Sequence, residues 1–285
     1  MISLPSEIFN WVNAHIPIEK YWTLWLQNPG LTWGIGPVLA YIVSYVSTAV
    51  FMELLIRTSW AKDKFVVQTK GVSRLEAIAK TQAKIPLSTQ LRNVLWQLFG
   101  PTAIFNAILA YVTTHLFLPH VEYSPLPESL TSSLLAFVAM ELIGDFFLYW
   151  GHRIQHDIPY LWENFHHFHH TLDTPTPVGT IYIHSVDATL QGALPMLIAV
   201  GAVRPHPLVA YIYFMCRISE NVLHHSGLNS WLLNALFLKF LPGRACVSHH
   251  DAHHKFSNYS RNAKNYGENF WIWDYLFGTL RKSID

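Results

Sequence analysis

The sequence predicts an all-α integral membrane helical bundle, with four to five membrane-embedded helices and a histidine-rich helical cap on the cytosolic side. Three observations predict it. Hydrophobic residues fill 51% of the 285 positions and charged residues only 13%, where a soluble globule carries about 25%. Apolar runs recur at lengths near the ~20 residues that a bilayer-crossing helix needs. Finally, 17 histidines stand in a chain that otherwise avoids polar residues, most of them grouped after the apolar runs. The 19 Lys and Arg are nearly cancelled by 18 Asp and Glu, which leaves no basic field for nucleic acid. Cys216 and Cys246 make neither a disulfide framework nor a CxxC pair.

Taken in order, residues 1–30 carry the aromatics Phe9, Trp11, Tyr21, Trp22 and Trp25, which suit an interfacial segment. A first region, 31–129, holds two spans, 35–56 and 94–118, joined by a basic loop. That loop, 57–92, has eight Lys or Arg against two acids, and 119–129 has no Lys or Arg. The positive-inside rule therefore puts 57–92 in the cytosol. The remainder, 130–285, begins with a third span, 130–150. It continues with a hairpin of two shorter apolar segments, 188–203 and 207–222, turned at Arg204-Pro205-His206-Pro207. Counting spans from the basic loop, the chain returns to the cytosol after Trp150 and again after Val222. Every histidine group follows one of those exits.

The groups are His152/His156 (HxxxH), His166/His169/His170 (HxxHH), His225 before Ser226-Gly227, and His250/His253/His254 (HxxHH). Helical residues three and four apart share a face. HxxxH thus aims two rings at one point, and HxxHH aims two at one metal and the adjacent ring at another. Nine candidate ligands exceed the four that one zinc takes, so the count implies two metals, each with room for a small ligand. Imidazole suits Zn, Cu, Fe or Ni, and spacing alone does not choose among them. His15, His115, His120 and His206 read as side chains near span ends, and His167, His224 and His249 as neighbours of better-spaced rings.

In this order and spacing the motifs resemble those of the fatty acid hydroxylase/sterol desaturase superfamily of membrane di-iron enzymes. The likeness runs from Asp145 to Thr279. It includes the lead-in Asp145, Tyr149, Trp150, His152 and Arg153, and the ending Asn265-Tyr266-Gly267 with Trp273-Asp274-Tyr275-Leu276-Phe277-Gly278-Thr279. Within the superfamily the C4-methylsterol oxidases are the nearest in pattern, through Glu220 to Gly227 and His249 to His254. Leu228-Asn229 stands where they have Tyr-Asp, and His184-Ser185-Val186-Asp187 where they have His-Pro-x-Glu.

The resemblance implies two iron ions, O2 as co-substrate, and a catalytic region at 130–285 that oxidises a sterol or related lipid, C4-methyl oxidation first. Sterol C5-desaturation and hydroxylation of another lipid or terpenoid are the alternatives within the class. A membrane zinc-binding protein or hydrolase is the alternative outside it, although HExxH is absent. Electrons from NAD(P)H would arrive through a separate donor, cytochrome b5 or a flavoprotein reductase, since no CxxCH, GxGxxG or HPGG occurs. The implied compartment is the endoplasmic reticulum, or the inner membrane in a bacterium. Asp145, Asp187, Glu220, Asp251 and Asp274, with Glu141 one turn before Asp145 and with His184, are placed to orient the rings through their second nitrogen. Phe146, Phe147, Tyr149 and Trp150 are candidates to line a lipid pocket.

Overall fold

The computed structural model describes residues 18–117, 123–257 and 263–281. Phe9, Trp11, His15 and His120 lie outside them. Among the described residues the elements are helices, with two isolated β-bridges and no strand. Helix α1, Ile18–Leu26, donates from the Trp22 indole to Pro125 O at 2.7 Å and from the Trp25 indole to the Tyr211 hydroxyl at 3.1 Å. A π-helical turn, Gly30–Ile35, then enters α2, Gly36–Leu55.

Residues 57–92 are not one loop. They contain α3, Arg74–Lys84, capped by Ser73 Oγ on Glu76 N, and the start of α4, Leu87–Phe99. The second span also departs from expectation. It begins at Leu87 and breaks into α4 and α5, Pro101–Phe117. The Pro101 ring disfavours helical backbone at the residue before it, and Gly100 is extended, with φ −91° and ψ −166°.

Helix α6, Leu130–Asp157, has 28 residues, about 42 Å at the helical rise, against a bilayer core of roughly 30 Å. The third span therefore overruns its expected end at 150, and the overrun carries His152 and His156. The hairpin forms as α8, Leu194–Val203, and α9, Pro207–Ser226, after a π-helical turn at Ala188–Ala193. Between α6 and the hairpin lie another π-helical turn, Trp162–His166, and the short α7, His167–His170. His206 Nδ1 caps α9 by accepting from Leu208 N, which explains that spare histidine. Helices α10, Trp231–Leu236, α11, Val247–Phe256, and α12, Ile272–Leu276, complete the chain.

Among the described residues, four stretches are long and apolar enough to cross a membrane: Gly30–Leu55, Leu87–Leu116, Leu130–Asp157 and Ser185–Val203. Their outward faces are apolar, with Val43, Val50, Ile104, Phe105, Leu134 and Leu135 all exposed. Helix α9 is of similar length but bears Arg217 and Glu220, and it is the central helix. It packs on α2 through Tyr45, Ala49, Met52, Ile218 and Val222. Against α6 and α8 it packs through Met140, Ala199, Ala210 and Tyr213.

Candidate metal centre

Four segments converge at the end of the bundle where α6 overruns and α9 stops. Gly227 terminates α9 at φ +72°, and a Cβ there would lie 2.4 Å from the Arg74 guanidinium. Both the backbone and the close approach thus demand glycine. The nine candidate rings gather into two groups: His152, His156, His166, His170 and His253, and His169, His225, His250 and His254. Within each group the nearest nitrogens all lie within 4.8 Å of one another. Both HxxHH motifs split alike, the i,i+4 pair in one group and the third ring in the other. His166 and His170 join the first group while His169 joins the second. His250 and His254 join the second while His253 joins the first.

Oxygen acceptors fix five of the rings from behind. His152 Nδ1 donates to Tyr266 O at 2.8 Å, His166 Nδ1 to Asp187 Oδ2 at 2.9 Å and His169 Nδ1 to Tyr182 O at 3.2 Å. His225 Nδ1 donates to Asn221 O at 2.8 Å and His253 Nδ1 to Lys264 O at 2.7 Å. A carbonyl or carboxylate oxygen only accepts, so in a neutral ring each Nε2 presents a lone pair. Across the site Nε2 atoms meet in pairs, both members anchored through Nδ1 in His169 and His225 at 3.3 Å, and one member anchored in His156 and His166 at 3.0 Å, His170 and His253 at 3.2 Å, and His225 and His250 at 3.2 Å.

For His169 and His225 both Nδ1 protons are committed, so two lone pairs face each other in a buried site with no donor between them. A shared cation resolves that conflict. The spacing is that of neighbouring nitrogens held at ~2.1 Å from one ion. Burial draws His169 down to about 4 and His170, His250, His253 and His254 well below the ordinary imidazole range. Neutral imidazole is the form that binds a metal.

Of the polar side chains expected to orient the rings, Asp187 is hydrogen-bonded to one of them. It accepts from His166 and, through Oδ1, from Gln155 Nε2 at 3.1 Å. The expectation fails for Asp145, whose oxygens take Asn269 N, Phe270 N and Arg217, and none of the rings. Glu141 accepts from Asn269 Nδ2. Glu220 pairs with Arg244 and Lys239. Asp251 pairs with Arg74 at 2.6 Å, both buried. Asp274 does hold a ring, that of His249 at 3.0 Å, outside the nine. It also accepts from Tyr266 N, so it braces the segment whose carbonyl holds His152. His184 caps the turn at Ser185–Asp187 and lies against Phe165 with ring centres 4.8 Å apart.

A cavity of about 140 Å³ borders His169 and His225 and runs between α2, α4, α5, α8 and α9. Its wall includes Pro37, Ile42, Leu98, Met196, Leu197 and Phe214, with Gln97, Gln191, Asn221 and Glu268 as polar members. Phe146, Phe147, Tyr149 and Trp150 are not in it. Phe146 packs on Trp273, and Tyr149 and Trp150 pack on Phe277, on a different face of α6 from the cavity-lining Leu148. Burial pushes the Glu268 carboxyl up to about 7, although Arg217 draws it back.

Sequence reasoning missed the backbone anchors, Gln155 and Arg74. Carbonyl acceptors leave no residue-type signature. Gln155 was readable as the polar residue inside HxxxH. His224 is buried, neither ring nitrogen has a partner among the described residues, and it belongs to neither group. His167 sits beside Trp162 with ring centres 5.5 Å apart.

Residues 137–279, half of the chain, match the fatty acid hydroxylase family. The chain belongs to that family. A 139-residue stretch is 32% identical to methylsterol monooxygenase 2-2 of Arabidopsis thaliana, covering 48% of this chain and 49% of that one. Fatty acid hydroxylase vlmA of Lecanicillium sp is 33% identical over 158 residues, 50% of this chain and 41% of its own. Methylsterol monooxygenase erg25B of Aspergillus fumigatus is 25% identical over 279 residues, 94% of this chain and 86% of its own. The chain thus spans about half the length of the first two relatives. No solved structure matches it.

Proposed function

We propose that this fatty acid hydroxylase family member is a membrane di-iron oxygenase that oxidises an unactivated C–H bond of a sterol or related lipid, with C4-methyl oxidation as the reaction. The observation that carries the reading is the pair of buried imidazole groups with facing Nε2 lone pairs, opening on an apolar cavity among membrane-length helices. Methylsterol monooxygenases among the relatives, one alignable over 94% of this chain, support the substrate class.

In this reading His152, His156, His166, His170 and His253 hold one iron, and His169, His225, His250 and His254 the other. Bound there, the iron pair supplies the activation of O2 and the oxidation that no side chain can provide. The protein's part is positional. Tyr266, Tyr182, Asn221 and Lys264 carbonyls and the Asp187 carboxylate lock ring orientation, and the apolar cavity excludes water and presents the lipid from the His169 and His225 side. Residues 130–285 form the catalytic region, 31–129 supply the first spans and the basic segment, and 1–30 lie at the interface. The site faces the cytosol, where a separate cytochrome b5 or flavoprotein reductase delivers electrons, and the compartment is the endoplasmic reticulum.

Expression in cells that lack methylsterol oxidation, with sterols profiled by mass spectrometry and metal counted on the purified chain, tests this. Disappearance of the accumulated 4-methylsterols, with about two irons per chain, is the expected result. Zinc alone with no O2 consumption refutes it.

A further inference from the structure

The cavity that borders His169 and His225 is mostly apolar, yet two amides on its wall carry an unmet hydrogen-bonding demand. Gln97, on α4, is buried. Its Nε2 donates to Ile183 O at 2.8 Å, which fixes the orientation of the amide, and its Oε1 is buried with no partner among the described residues. Ile183 directly follows Tyr182, whose carbonyl holds His169. Asn221, on α9, lends its backbone carbonyl to His225, and its side-chain Oδ1 is likewise buried without a partner. Gln97 is thus tied through its Nε2 to the backbone next to Tyr182, which orients His169, and Asn221 is itself the residue whose carbonyl orients His225. A buried acceptor left unpaired is costly, and both atoms ask for the same thing, a donor.

An alkyl chain brings no donor to this end of the cavity. We propose that the lipid taken here carries a hydroxyl close to the carbon that is oxidised, and that its O–H is donated to Gln97 Oε1, with Asn221 as the neighbouring polar contact. Gln97 is then a specificity-determining residue that reads the substrate's alcohol. The inference rests on the reading of this cavity as the substrate site, and it narrows the substrate to a lipid with adjacent hydroxyl and reacting carbon. Sites of this kind reject the analogue lacking the hydroxyl far more strongly than a purely apolar wall discriminates by size.

The test needs no turnover. The full chain, stripped of metal in detergent, is titrated with a 4-methylsterol bearing a free 3-hydroxyl, with its 3-deoxy counterpart and with its 3-methyl ether. Binding is followed by tryptophan fluorescence. The free alcohol should bind at least about tenfold more tightly than either analogue, since one hydrogen bond to a buried acceptor is involved. Gln97→Leu should remove that preference by weakening the alcohol alone, and Asn221→Leu provides a second variant. The comparison among ligands on the unaltered chain stands even where a variant misfolds. Equal binding of the three sterols overturns the inference and leaves the sterol reading intact. Binding of a straight-chain fatty alcohol, but neither the matched alkane nor any sterol, upholds the hydroxyl inference and removes the sterol reading.

Discussion

Replacing Asp187 by Asn tests the proposed metal centre without touching any of the nine imidazoles. Two donors converge on the Asp187 carboxylate: His166 Nδ1 at 2.9 Å on one oxygen and Gln155 Nε2 at 3.1 Å on the other. Asn has nearly the same shape but only one acceptor. If its oxygen faces His166, its amide nitrogen opposes the Gln155 amide. If it turns, it opposes the His166 N–H and favours the tautomer whose Nε2 carries the proton and cannot bind a metal. Either way one buried donor is left unpaired, at a cost of about 1–3 kcal/mol, which corresponds to roughly 5- to 150-fold in an equilibrium constant. Loss of an outer partner of a metal-bound histidine typically weakens metal affinity by 10–100-fold, within that range. Iron binding to the apo chain, titrated against a competing chelator, should weaken by that factor in Asp187→Asn. The control Asp157→Asn, which removes only a half-exposed pair with Arg153, should bind as the unaltered chain does. Unchanged affinity in Asp187→Asn would refute the claim that the carboxylate sets the His166 tautomer.

Three further outcomes follow from the same geometry. His225→Ala leaves the group of four with three rings, so it should abolish turnover and lower bound iron from about two to about one per chain. His167→Ala, at an exposed ring, should keep both. Arg74→Ala strands the buried Asp251 carboxylate and should destabilise the chain by roughly 3–5 kcal/mol. The Arg74→Ala/Asp251→Ala double variant should recover much of that loss in thermal melts in detergent. Glu268, raised by burial from 4.5 to about 7, prefers its neutral form in the fold. Its contribution to stability is therefore present below 4.5 and declines as pH rises towards 7. Glu268→Gln escapes the decline, by at most on the order of 3 kcal/mol, so its melting advantage over the unaltered chain should be larger at pH 8 than at pH 5. A constant gap across that range would refute the assignment.

What could be read in advance was whatever leaves a local imprint. Helix length and apolarity mark the spans, and His152/His156 mark the end of α6 because i,i+4 spacing is a property of a single helix. The orienting residues were less legible because orientation is a long-range property. Asp145 is seven residues from His152, a spacing that suggested service to the metal site. Its oxygens are instead consumed by Asn269 N and Phe270 N, 124 and 125 residues away. Asp274 braces Tyr266 N, and Tyr266 O holds His152, a relay that no residue type announces. Arg74 was counted as a positive-inside charge, and only the fold reveals it as the partner of Asp251 on the same helix as His250. The second span misled for a local reason that was present in Gly100-Pro101 and outweighed by the hydrophobic run around it.

The split of both HxxHH motifs explains why this arrangement produces a pair of sites. Four residues advance a helix by about 400°, so His166 and His170, or His250 and His254, point nearly the same way one turn apart. Three residues advance about 300°, which displaces the third ring to the other side of that direction. A single HxxHH therefore serves two points in space at once. In α11 it contributes His250 and His254 to the second group and His253 to the first, while the segment ending in α7 contributes in the opposite sense. Two such motifs facing each other supply three rings to each point, and the remaining rings decide the difference between the points. His152 and His156 raise the first group to five, whereas His225 raises the second to only four. The poorer group is also the one whose rings border the cavity. On the proposed reading, the group with fewer rings would leave room for a further ligand on the side that faces the cavity.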